Sequence, residues 1–133
     1  MTNMGTLHLR LLAATGLALL AGSPALADGT PECNVGAGAS STECGVNALA
    51  AGASATAVGN GALAPAAQSV SVGIGATTAS ANAASLGQSV AVGNAAVASD
   101  EDAAAFGDKA TASGFHSTAV GGESVASGRG AQA

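Results

Sequence analysis

Tryptophan and tyrosine are absent from the sequence, and phenylalanine occurs only twice. A core built on aromatic side chains is therefore excluded. Lysine and arginine together number 3 against 8 acidic residues, so no basic patch exists to neutralise phosphates and a nucleic-acid partner is excluded. The two cysteines have no neighbouring ligands at metal-binding spacing, so no metal site is expected. No apolar run reaches the ~20 residues that a membrane-spanning helix needs. What remains is alanine, glycine and serine, with valine as the commonest larger apolar side chain after residue 27. Low charge with this composition is also that of low-complexity disorder, and only a regular pattern argues against it.

The first 27 residues read as an export signal rather than as fold. The run LLAATGLALLAG, Leu11 to Gly22, follows His8 and Arg10, and the small-x-small sequence Ala25-Leu26-Ala27 closes it. This is the order of a secretory signal peptide over 1–27, with cleavage after Ala27. An N-terminal membrane anchor is the alternative, and the run is short for it. Export places Cys33 and Cys44 in an oxidising compartment with nothing else to pair with, which points to a disulfide between them. Two free thiols, with Cys44 a simple core residue, is the other reading. Residues 28–43 show no repeat and are expected to be irregular, pinned by that bridge.

From Cys44 onward the sequence repeats. A glycine follows an apolar residue at Gly45, Gly59, Gly73 and Gly87, then at Gly93, Gly107 and Gly121, with spacings of 14, 14, 14, 6, 14 and 14. The preceding residues are Cys44, Val58, Val72, Leu86, Val92, Phe106 and Val120, apolar residues larger than alanine that share one phase. Either Leu86-Gly87 or Val92-Gly93 holds the register after the break. Ser89 to Gly93, SVAVG, is the better match, with the extra residues forming a bulge or loop before it. On either side of the glycines small or apolar residues alternate with period two, as at Ala62 and Ala64 or Val90 and Val92. Period two means strand, and the glycines supply tight turns. A helix would carry these glycines at ~1 kcal/mol each relative to alanine.

Two short strands and two turns per 14 residues stack as coils of a β-solenoid. The bulky column, Cys44, Val58, Val72, Val92, Phe106 and Val120, is the expected repeat core. Gly45, Gly59, Gly73, Gly93, Gly107 and Gly121 are the expected turn glycines. With so few large side chains the two sheets must lie close, with Ala, Ser and Gly between them. So little apolar bulk per coil calls for association, and the alanine-rich sheets of neighbouring chains are expected to face one another.

The phrases SVAVGNAAVAS, STAVGGESVASG and SVSVGIGAT resemble the head repeat of trimeric autotransporter adhesins, the YadA-like head, over residues 44–133. That resemblance implies an all-β, left-handed parallel β-roll, assembled as a homotrimer and displayed at the bacterial cell surface, on the outer membrane or extracellularly. It implies adhesion to host extracellular matrix, host cells or other surfaces, without enzymatic activity or cofactor. By the same resemblance Val58, Val72, Val92, Phe106 and Val120 take the motif's buried apolar position, and Val70 and Val90 its other strand position. The family's stalk and membrane anchor do not follow GRGAQA here, so any membrane attachment runs through an anchor not present in this chain.

Residues that could carry chemistry are few. Asp100, Glu101 and Asp102 form an acidic turn, read as solvated rather than as a cation site. His116 lacks a nucleophile nearby, and GNGALA and GIGATTA lack the Lys-Ser/Thr of a phosphate loop. Thr56, Val70, Ala84, Ala104 and Thr118 fall in one column. An unbroken threonine ladder there would have favoured an ice-binding solenoid. That function, and a purely structural secreted solenoid, are the alternatives to adhesion.

Overall fold

The computed structural model describes residues 33–79 and 87–133, so the signal-peptide segment lies outside the described residues. The described chain is all-β. The strands are β1 (Cys33–Val35), β2 (Thr42–Cys44), β3 (Thr56–Val58), β4 (Val70–Val72), β5 (Thr77–Thr78), β6 (Val90–Val92), β7 (Val97–Ala98), β8 (Ala104–Phe106), β9 (Thr111–Ala112), β10 (Thr118–Val120) and β11 (Val125–Ala126).

They form two sheets that wind as a parallel β-solenoid. Sheet A has the order β1-β2-β3-β4-β6-β8-β10, and sheet B the order β11-β9-β7-β5. From β2 onward every pair in sheet A is parallel and joins residues one repeat apart: Val58 opposite Val72, Val92 opposite Phe106, Phe106 opposite Val120. Single bridges from Leu49 to Leu63 and from Leu63 to Thr77 carry sheet B back to the first coil.

The structure resolves the choice of register. Val72 pairs with Val92 and Val70 with Val90, so Val92-Gly93 holds the column. The place assigned by counting to Ala84 is held by Val90. Gly87 belongs to the opposite corner. Its neighbour Gln88 donates its N–H to the Ala67 carbonyl (3.1 Å), and the Gly87 carbonyl accepts from Asp102 N–H (3.3 Å). The described coil thus runs to Ala79 and resumes at Gly87, on this second corner. The bulge or loop expected of the inserted residues falls on residues 80–86, outside the described ones.

The core is the reverse of the expected one. Three-residue strands alternate out-in-out, and the middle residues Ala57, Ser71, Ala91, Ala105 and Ala119 are fully buried. From sheet B, Ala62 and Ala64, Ala96 and Ala98, and Ala110 and Ala112 are buried against them. The bulky column points outward. Cys44, Val58, Val72 and Val92 are half-buried, and Phe106 and Val120 are 40% and 61% exposed. The physical reason is the closeness of the sheets, which leaves room for a methyl or hydroxymethyl group and no more. Apart from Ala104, the alanines of the two sheets are buried within the chain itself, not displayed on its outer faces as expected.

The turn glycines stand as expected. Gly45, Gly59, Gly73, Gly93, Gly107 and Gly121 all have φ between 123° and 141°. At Gly73 two requirements coincide. Its φ is one that L-residues rarely adopt, and a Cβ there would strike the carbonyl of Gly93 in the next coil.

The segment expected to be irregular contains a hairpin from Cys33 onward. β1 runs antiparallel to β2, with Cys33 opposite Cys44, Asn34 opposite Glu43 and Val35 opposite Thr42. Cys33 and Cys44 are joined by a disulfide.

Candidate functional site

The solenoid presents two sheet faces and two corners, and the sequence treats them differently. Within each coil the corner after sheet A is the glycine turn, at Gly59-Asn60-Gly61 for example. The corner after sheet B is the second turn, at Asp100-Glu101-Asp102. Every charged side chain of the described residues lies on one of these corners, except the buried Glu43.

The corners are built as ladders. In the glycine turn the third residue is left-handed in every coil: Asn47, Gly61, Gly75, Ala95, Lys109 and Glu123. Its N–H donates to the middle residue of the preceding turn, as from Ala95 to Ile74 and from Lys109 to Asn94 (both 2.8 Å). The second turn repeats the device, with Ser54, Gln68, Gln88, Asp102, His116 and Gly130 left-handed. This stacking holds equivalent side chains one above another, so their chemistry adds along the rod axis.

On the glycine corner, Asn94 Nδ2 donates to Asp108 Oδ1 (2.8 Å), and Lys109 Nζ lies 4.0 Å from Asp108 and 3.8 Å from Glu123. Lys109 thus stands on the corner opposite the acidic cluster Asp100 to Asp102 that it neighbours in sequence. These pairs are exposed and contribute little to stability. On the second corner, Gln88 Nε2 donates to Gln68 Oε1 (2.9 Å), and His116 Nε2 lies 2.9 Å from Asp102 Oδ2. The His116 ring stacks on Phe115 with centroids 3.9 Å apart, and the Arg129 guanidinium sits 4.8 Å from the other ring centre. His116 therefore has a carboxylate partner, which sequence spacing alone could have found: Asp102 stands one repeat before it. Among the described residues no group of three or more His, Cys, Asp or Glu side chains is arranged to hold a metal ion.

The sheet faces carry no charge. Sheet A presents the column Cys44, Val58, Val72, Val92, Phe106 and Val120 beside a second column, Thr42, Thr56, Val70, Val90, Ala104 and Thr118. Sheet B presents Leu49, Leu63, Thr77, Val97, Thr111 and Val125. An apolar column beside a Thr/Val/Ala column, uncharged and edged by polar corners, is the kind of surface that marks an interaction site. The uncharged strip on sheet A is the candidate site. It contains every residue expected to form the core, now facing outward.

Searches against family models and against curated protein sequences give no match for the chain.

Proposed function

We propose that this chain is a surface adhesion module of the YadA-like head type, exported to a bacterial surface and working as a homotrimer without catalysis. The observation that carries the reading is the outward Val/Phe column on sheet A. Apart from Glu43 in the first coil, the interior side chains are Ala, Ser and Thr, and the larger apolar residues stand outside, aligned coil upon coil and free of charge. Three chains leaning together along sheet A would cover this strip and bury the apolar area that one chain leaves in contact with water. The polar corners would then form the outer surface offered to host matrix, host cells or other surfaces. The disulfide fits an oxidising location.

Light scattering on the purified chain tests the assembly, and retention on surfaces coated with collagen, fibronectin or epithelial cells tests adhesion. A particle of three chains that binds one of these coatings is expected. A monodisperse monomer overturns the assembly. A trimer that binds nothing across the panel overturns adhesion and leaves a structural spacer.

A further inference from the structure

In a parallel solenoid each coil satisfies the upstream-facing backbone groups of the next. The Ala64 N–H donates to the Leu49 carbonyl (2.8 Å), and the Ala64 carbonyl accepts from Gly52 N–H (3.1 Å). Ala50, at the same position of the first coil, is treated differently, because upstream of that coil the chain turns back as β1 and covers sheet A. Its carbonyl accepts from Gly38 N–H (2.9 Å), but its N–H donates to a side chain, Glu43 Oε2, at 3.1 Å. Glu43 occupies the interior position held by Ala or Ser in the later coils and is buried. A carboxylate stands there because an otherwise orphaned amide needs an acceptor.

On sheet A the upstream edge is closed by β1. Thr42 N–H points downstream, to the Ala55 carbonyl (2.9 Å). By alternation the Glu43 backbone points upstream, where Asn34 stands opposite. β1 is held by its pairing with β2 and by the disulfide, and the turn that follows it by Gly36 N–H donating to the Ser41 carbonyl (3.1 Å). The strand is three residues long, and Cys33 and Val35 face solvent, Val35 at 69% exposure. A pair of such short strands is marginal alone. In sheet A, by contrast, β3, β4, β6 and β8 each have a paired strand on both sides.

We propose that residues 33–43 form a thiol-gated end cap: the Cys33–Cys44 bond latches β1 onto the edge of β2, and its reduction frees β1 while the coils from β3 onward remain folded. A dithiol reductant suffices. One thiolate attacks a protein sulfur, and its second thiolate displaces the mixed disulfide. The reductant leaves oxidised as a cyclic disulfide, and Cys33 and Cys44 are left as two thiols. Opening converts a closed end into a free sheet edge, the form in which sheets accept a further strand.

Amide hydrogen exchange, read residue by residue on the full chain with and without a dithiol, tests the latch. Reduction is expected to speed exchange at the Glu43 amide by about thirtyfold or more, the factor implied by the lower end of what a disulfide contributes. Ala91 and Ala105, interior amides of later coils, should be unchanged. Unaltered protection at Glu43 overturns the proposal, because the strand then holds without the bond. Equal acceleration at Ala91 and Ala105 also overturns it, because the bond then supports the whole rod. The double variant Cys33→Ser/Cys44→Ser should show fast Glu43 exchange with or without reductant, and protection matching the oxidised chain would count against the latch. If that variant fails to fold, the reduction series on the native chain decides alone.

Discussion

Gly73 and Gly93 stack so closely that a side chain on the first would strike the carbonyl of the second, whereas Gly121, at the same turn position in a later coil, has open space where a Cβ would go. All three have strongly positive φ. Gly73→Ala should therefore lose on the order of 2–5 kcal/mol, backbone strain and steric overlap together. Gly121→Ala should lose only the strain, about 1–3 kcal/mol. Urea unfolding of both variants checks the order, and equal losses would show that stacking adds nothing to the glycine requirement.

Ala95 takes the left-handed turn position that Gly61 and Gly75 fill in earlier coils, with φ of 53°. An L-residue there costs roughly 1–2 kcal/mol, and glycine roughly 0.5–1 kcal/mol of chain entropy. Ala95→Gly is expected to raise stability by a few tenths to about 1 kcal/mol, read as a higher urea midpoint at unchanged slope. A lowered midpoint would contradict the strain argument.

The interior has no spare volume. Ala105 is fully buried between Ala91 and Ala119 in its own sheet and faces the alanines of sheet B. Ala105→Leu should destabilise by about 1–3 kcal/mol or more through overpacking, although it adds apolar area. Phe106→Leu, one residue on and facing out, should leave monomer stability within about 0.5 kcal/mol, as for surface substitutions generally. Thermal melts of the two variants separate the faces.

Phe106→Asp probes the proposed trimer. Circular dichroism should keep its β signal, since the side chain is not in the core, while light scattering should show loss of the three-chain particle. His116→Ala, on a corner, should assemble normally. Trimers from both would remove sheet A from the interface.

These pairs also show what the sequence discloses. The phase of the coils was legible because glycine and a bulky residue recur side by side, and SVAVG pointed to Val92 even across the insertion. Which face the bulky residues take was not legible from period two, which fixes alternation and not direction. The clue lay in the other phase. Ala57, Ser71, Ala91, Ala105 and Ala119 are uniformly small, as a tight interior demands, while the outer column admits both Cys44 and Phe106. The left-handed turn positions were hidden because Lys109, Glu123 and Ala95 carry no turn signal, the stacked hydrogen bonds imposing the conformation. The hairpin escaped because three residues show no period, although Glu43, the only charged residue in a phase otherwise of Ala and Ser, marked a coil with different needs.

The strict pairing of Val92 with Phe106 and of Phe106 with Val120 has a consequence for how such a molecule can change over generations. Excising residues 93–106 would join Val92 to Gly107 and leave both sheets, both corners and all cross-coil bonding in phase, shortening the rod by one strand spacing of about 4.8 Å. Duplicating them would lengthen it by as much. Reach is thus a quantity that can be dialled in whole steps by gene rearrangement, whereas a cut that shifts a strand by one residue turns its interior side chains outward.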